Sequence, residues 1–174
     1  MHGRILLPHA NRQTGAQPQL SEVRRLLHSL DSTPQMQSYP FFRREMFSMG
    51  SGERPHYYDN AVVAFAATYK NLEDSWARWL ARWEWILARM EFETAQVQLD
   101  TEFLGTYHFF WQSRRSPLAE KMEQQTAEEA LTACPLWYFG MGARTRWGSL
   151  VRPLEERDIF NLYDFVYEPA RPIV

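Results

Sequence analysis

The sequence has little of what usually marks a secreted or membrane protein: it contains one cysteine, two lysines and no long apolar run. A single cysteine excludes an internal disulfide. No stretch approaches the ~20 apolar residues of a membrane-spanning helix, and the three apolar residues before Pro8 are too few for the core of a secretory signal. We therefore expect a cytoplasmic protein without a membrane partner. The 17 arginines beside two lysines are typical of a GC-rich bacterial genome.

Motifs for metal binding and catalysis are also scarce. The Glu-x-x-His motif that a di-iron bundle needs on two helices does not occur twice, and there is no His-x-x-x-His or Cys-x-x-Cys spacing for zinc. The only thiol, Cys134, precedes Pro135 at the predicted end of a helix, where the helix dipole disfavours a thiolate. We expect no metal, no cofactor and no motif-based catalytic residue.

Charge is balanced overall but uneven along the chain. The 19 basic and 21 acidic side chains give a net charge of −2, which produces no general field that would attract nucleic acid. Residues 1–54 carry +3, residues 55–116 carry −2 and residues 117–174 carry −3. In the last segment acidic and aromatic side chains alternate, an arrangement that fits a basic cleft on a partner protein. The candidate partner-binding residues there are Glu155, Glu156, Asp158, Tyr163, Asp164 and Tyr167.

Aromatic residues are abundant, with 7 Trp, 8 Tyr and 11 Phe among 174 residues. Four of the tryptophans fall between positions 76 and 85. A chain of this length hides roughly 70% of its unfolded surface when it folds, so it can form one hydrophobic core without a metal or disulfide. We expect a single domain over residues 19–174, preceded by a loose arm over residues 1–18.

Helical spacing of apolar residues is the main local pattern. It predicts a short amphipathic helix over residues 19–30 and, after Asp59 as N-cap, a buried helix over residues 60–69. A longer helix is predicted from Asn71 to about Gln98. Its apolar seam has the spacing of a coiled-coil stripe and consists of Leu72, Trp76, Trp79, Trp83, Ile86 and Met90. Small residues on another face of it are Ala77, Ala81, Ala88 and Ala95.

The remaining segments are less regular. Residues 103–111 favour a helix, with a strand over residues 106–112 as the competing interpretation because Tyr, Phe and Trp also suit strands. Ser116 and Pro117 indicate the start of another helix. The C-terminal region is expected to be short and irregular or to form a small β structure. Together these elements predict a mainly α fold, a helical bundle built on the long Trp-rich central helix.

One side of the predicted central helix lies opposite the apolar seam and carries Arg78, Arg82, Trp85 and Arg89. Arginine can stack on an indole through a cation–π interaction, and Trp and Arg are enriched in the hot spots of protein interfaces. These four residues are therefore candidate partner-binding residues. The alternative is that a neighbouring segment of the same chain covers Trp85.

Three functional hypotheses follow. The first is a small bacterial protein that neutralises a partner protein, in particular an immunity protein specific for a toxin encoded nearby. The second is a helical enzyme whose site gathers the dispersed residues His56, Asp59, Glu102 and His108. The third is a nucleic-acid-binding adaptor that uses Arg24, Arg25, Arg43 and Arg44, although the net charge makes nucleic acid the weaker partner. Self-association stays open in each case.

Overall fold

The computed structural model describes residues 1–8, 18–49, 61–101, 105–115, 132–133 and 135–142. The strands are β1 (His2–Leu6), β2 (Phe47–Met49), β3 (Val62–Ala66), β4 (Thr94–Thr101), β5 (Gly105–Ser113), β6 (Thr132–Ala133) and β7 (Trp137–Gly142). The α-helices are α1 (Pro18–Ser29), α2 (Pro34–Gln37) and α3 (Trp76–Leu87). Short 3-10 turns occupy Leu30–Ser32, Arg44–Met46 and Leu72–Ser75.

The strands form one antiparallel sheet in the order β2-β3-β1-β4-β5-β7-β6. Strand β1 lies inside it, where Ile5 faces Val63 on β3 and Ala95 on β4. The prediction of a loose arm is therefore wrong for His2–Leu6. A Cβ on Gly3 would lie 2.3 Å from the carbonyl oxygen of Gln96, so the close approach of β4 requires glycine at this position.

Helix α3 lies across one face of the sheet and places three buried tryptophans, Trp76, Trp79 and Trp83, in the aromatic core. Its side chains contact strand residues, with ring centroids 5.0 Å apart for Trp83 and Phe65 and 5.1 Å apart for Trp76 and Phe109. Five residues of the predicted apolar seam are buried, which confirms that part of the pattern: Leu72, Trp76, Trp79, Trp83 and Ile86. The core also takes in the buried side of α1, and the helix predicted over residues 19–30 is confirmed as Pro18–Ser29.

The prediction of a mainly α bundle is wrong, because the molecule is built on a sheet and α3 ends at Leu87. Residues 94–98, expected in the last turns of the long central helix, belong instead to β4. There Ala95, Val97 and Leu99 are buried, whereas Gln96 and Gln98 between them are half-buried. This alternation is the two-residue period of a strand, which the helix-forming tendency of alanine and glutamine obscures in the sequence.

The buried helix predicted over residues 60–69 is also wrong, since Val62–Ala66 form β3. Val63 and Phe65 are buried, while Val62, Ala64 and Ala66 are exposed. A run of apolar and small residues has no visible polar alternation, so the strand period is hidden in the sequence. The β-branched valines are the signal that favours the strand. Asp59, the expected N-cap, lies outside the described residues.

Residues 105–113 form β5, so the helix predicted over residues 103–111 is wrong and its strand alternative is confirmed. A small, separate β structure is one expectation for the C-terminal region. Strand β7 lies there, but it pairs with β5 within the main sheet. The helix expected to begin at Ser116 and Pro117 lies outside the described residues. A single domain over residues 19–174 stays a prediction.

Candidate functional site

The two predicted groups of partner-binding residues have different outcomes. The C-terminal group of Glu155, Glu156, Asp158, Tyr163, Asp164 and Tyr167 lies outside the described residues. Arg78, Arg82 and Trp85 of the second group lie on α3, on the side away from the tryptophan seam, and Arg89 lies in the turn that follows Leu87. We call this side, together with the first two residues of that turn, the outer face of α3 and define it as Ala77, Arg78, Ala81, Arg82, Trp85, Ala88 and Arg89.

Most of the outer face is open to solvent. Ala77, Ala81 and Ala88 are exposed, as are Arg78 and Arg89, whereas Arg82 and Trp85 are half-buried. Trp85 packs against the edge of the core. The described chain therefore covers part of the Trp85 side chain and leaves the rest open to solvent. The seam on the other side anchors the helix to the sheet, so the outer face is a surface on a rigid element.

Trp85 and Arg89, four residues apart, form a stacked pair at the C-terminal end of α3. The guanidinium carbon of Arg89 lies 3.7 Å from the centre of the indole ring, and Arg89 Nη1 donates a hydrogen bond to the Trp85 carbonyl oxygen over 3.1 Å. This contact has the geometry of a cation–π interaction, and the accompanying burial lowers the pKa of Arg89. The predicted stacking on Trp85 is thus present, and Arg89 provides it.

Arg78 and Arg82 contact the turn formed by residues 38–40. Arg82 Nη1 donates to the carbonyl oxygens of Ser38 over 2.5 Å and Pro40 over 2.7 Å, and Arg82 Nη2 donates to Ser38 Oγ over 2.7 Å. Arg78 Nη1 donates to the Tyr39 carbonyl oxygen over 3.3 Å. Burial, and secondly the charge of Arg78, lower the pKa of Arg82. These hydrogen bonds fix the side chain of Arg82, whereas Arg78 makes a single hydrogen bond of 3.3 Å to the turn and stays exposed.

An aromatic cluster borders this turn. The rings of Tyr39, Phe41 and Tyr69 have centroids 5.8 to 6.4 Å apart. The hydroxyl of Tyr69 donates to the Phe41 carbonyl oxygen over 2.9 Å, and the hydroxyl of Tyr39 donates to the Lys70 carbonyl oxygen. Burial raises the pKa of Tyr69 well above its usual range, so this hydroxyl stays a neutral donor. Arg43 lies over Phe41, with its guanidinium carbon 5.1 Å from the ring centre.

The cations around α3 have no acidic partners among the residues that the structure describes. The pair that comes within ion-pair distance in those residues is His2 and Asp100, whose Nδ1 and Oδ2 atoms lie 3.9 Å apart on the sheet. No carboxylate lies within that distance of the five cations near the outer face, which are Arg43, Lys70, Arg78, Arg82 and Arg89.

The arginines of the nucleic-acid hypothesis fall into two places. Arg24 and Arg25 are exposed on α1. Arg44 is half-buried and its Nη1 donates to the Phe47 carbonyl oxygen over 2.6 Å, which covers part of the edge strand β2. Arg43 stacks on Phe41. Arg43 therefore lies next to the turn that α3 contacts, whereas Arg44 has a structural role.

The sheet face away from α3 carries polar side chains on β1, β4 and β5. Asp100 accepts hydrogen bonds of 2.9 Å from Gln98 Nε2 and Thr106 Oγ1. These bonds, Gln98 first, lower the pKa of Asp100. His108, the described member of the enzyme hypothesis, faces Gln98 across the β4–β5 pair. The other members, His56, Asp59 and Glu102, lie outside the described residues, so their convergence stays a prediction.

The burial of the Glu84 carboxylate is not predicted from the sequence. Glu84 is fully buried on α3, and its Oε1 accepts a hydrogen bond of 2.9 Å from the indole Nε1 of Trp111 on β5. The signal that identifies its position is spacing, because Glu84 follows Leu80 by four residues and precedes Leu87 by three. Both leucines are buried, and residues at these spacings share a helix face.

A small cavity of about 230 Å³ lies at the C-terminal end of α3. This volume is below the roughly 300 to 1,000 Å³ of sites for drug-sized ligands. Its polar lining is already engaged in part, because the Glu93 carbonyl oxygen accepts hydrogen bonds of 2.9 Å from Ser113 N and Gln112 Nε2. The remaining lining is largely apolar and includes Leu87, Met90, Phe92, Leu136 and Trp137.

Within the described ranges, no three His, Cys, Asp or Glu side chains are placed to hold a metal ion. Each helix found there is too short or too polar to cross a membrane. Comparison of the chain with protein-family models, curated proteins and solved structures finds no match.

Proposed function

We propose that this chain is a protein-binding protein that neutralises a partner in the bacterial cytoplasm, as a toxin-specific immunity protein does. The observation that carries the proposal is the outer face of α3. There a tryptophan held by a stacked arginine lies on an exposed helix surface. Trp and Arg are the residue types most enriched among binding hot spots.

Rigidity supports this role. The stack with Arg89 restrains the indole of Trp85, and the buried seam restrains the helix. Binding costs free energy when side chains must be ordered, and a preorganised surface lowers that cost. The outer face therefore has the side chains and the rigidity of a contact surface for a partner protein.

Shape also favours a protein over a small molecule. The exposed alanines Ala77, Ala81 and Ala88 lie along the helix, and residues as small as alanine allow another backbone to approach closely. The cavity beyond the end of α3 is small. Small ligands bind in concave sites, so an exposed helix surface suits a broad protein interface better than a small ligand.

Co-expression with the neighbouring genes of its genome tests the proposal. We expect the product of one neighbour to copurify with the chain and to inhibit growth when it is expressed alone. If no neighbour copurifies and none is toxic, the proposal is wrong.

The contact surface has its own test in the variant Trp85→Ala, which removes the candidate hot spot. We expect it to weaken the complex by at least about tenfold, the effect of a hot-spot residue. The matched control is Arg24→Ala with Arg25→Ala on α1, which alters another exposed helix and should leave affinity unchanged. Equal loss in both variants would show that the outer face is not the interface.

A further inference from the structure

The charge around the outer face of α3 points to the chemistry of its partner. Arg78 and Arg82 lie on one side of the helix, and Arg89 stacks on Trp85 of that side from the turn after Leu87. Arg43 and Lys70 lie next to the turn of residues 38–40. No carboxylate of the described residues forms an ion pair with any of these five cations. The protein as a whole has more acidic than basic side chains, so the concentration of unpaired positive charge here is local.

Arg78 and Arg82 are close enough to oppose each other. They lie four residues apart, a spacing at which like charges destabilise a helix, and the charge of Arg78 contributes to the lowered pKa of Arg82. Among the described side chains, the acidic residues of the surrounding elements are Asp31, Glu45, Asp74, Glu84 and Glu91. Asp31 Oδ1 accepts a hydrogen bond of 3.1 Å from the backbone N–H of Arg44. None of these carboxylates lies within ion-pair distance of Arg78 or Arg82.

Donor capacity remains on these cations. A guanidinium group carries five N–H donors, and Arg78 uses one of them in a contact of 3.3 Å. Arg43 is exposed and lies over Phe41, and Lys70 is exposed. Arg82 differs, because the carbonyl oxygens of residues 38–40 occupy its Nη atoms and make it a positioning residue. Arg43, Lys70, Arg78 and Arg89 are thus the groups that face a partner.

We infer that the outer face of α3 and the adjoining turn bind an acidic segment of the partner protein, an inference that rests on the proposed function. Carboxylates form charge-assisted hydrogen bonds with guanidinium groups. The alanines between the arginines and the rings of Tyr39 and Phe41 supply the apolar area that protein interfaces contain. A nucleic-acid interface is more uniformly basic, whereas this chain has a net charge of −2.

The test uses the full chain and three labelled probes: a short Glu/Ala peptide, a Lys/Ala peptide of the same length and a short DNA duplex. We expect fluorescence anisotropy to show binding of the Glu/Ala peptide, weakening as salt rises because the contacts are exposed charges. The double variant Arg78→Gln with Arg89→Gln should lower affinity about tenfold. The control Arg24→Gln with Arg25→Gln makes the same change in net charge on α1 and should have no effect.

Three results would overturn the inference: no binding of the Glu/Ala peptide, an equal loss in the α1 control, or tighter binding of the DNA duplex. The last result would make this surface a nucleic-acid interface. The neutralising role fails separately, when no neighbouring gene product copurifies. If a partner does copurify and Arg78→Gln with Arg89→Gln leaves its affinity unchanged, the acidic-segment inference fails while the proposed function stands.

Discussion

The inner and outer faces of α3 carry the same residue type in opposite situations. Trp79 and Trp83 on the inner face are fully buried, and their rings stack 5.6 Å apart. Trp85 on the outer face is half-buried beneath an arginine. The angular position of a tryptophan on the helix, and not its residue type, separates the core from the candidate interface.

The largest effect is expected from Trp83→Ala on the inner face. Its ring lies 5.0 Å from Phe65 and 5.9 Å from Trp111, and truncation of a buried aromatic side chain costs about 3–5 kcal/mol. Urea denaturation measures the loss. Trp83→Phe should cost less, because within the described part of the chain the buried N–H of Trp83 has no acceptor. A loss no greater than that of Trp85→Ala would remove the distinction between the two faces.

Glu84→Ala should give the next largest effect, because it leaves the buried N–H of Trp111 without the carboxylate that accepts it. An unsatisfied buried polar group costs about 1–3 kcal/mol. Glu84→Gln keeps a side-chain acceptor and should lose less stability. The resonance of the Trp111 indole proton reports the hydrogen bond directly, and an unchanged resonance in Glu84→Ala would contradict this role.

On the outer face, Arg82→Ala should destabilise the protein by about 1 kcal/mol, since it removes hydrogen bonds that hold residues 38–40. Arg78→Ala should cost less than about 0.5 kcal/mol, the usual range for an exposed surface change. Thermal or chemical denaturation of both variants compares them. Equal losses of stability in the two variants would contradict the interpretation that Arg82 is a positioning residue and Arg78 an exposed one.

Trp85→Ala should lower the free energy of unfolding only slightly, although it should weaken binding of the partner strongly. Loss of an exposed cation–π contact costs about 0.5–1 kcal/mol, and Trp85 has only part of its surface in the core. The free energy of unfolding and the affinity for the copurified partner are measured on the same preparation. A large loss of stability with unchanged affinity would make Trp85 a core residue like Trp83.

Sequence spacing predicted one part of the site well and another part poorly. The seam and the opposite set with Arg78, Arg82, Trp85 and Arg89 follow from helical periodicity, which is local. The contribution of residues 38–41 does not follow from helical periodicity. It requires contact between α3 and a turn that lies about forty positions before Arg82 in the chain. Glu84 lies within the same periodicity, but a charged residue type conceals its burial.

The sequence by itself determined which side of α3 is buried, because spacings of three and four residues place side chains on one face of any helix. The tertiary structure alone decided that residues 2–6, 62–66 and 94–101 are strands. Their hydrogen bonds join β1 to β3 and β4, segments roughly sixty and ninety residues further along the chain. Strand formation depends on such distant partners and on burial against them, whereas a helix satisfies its backbone within itself.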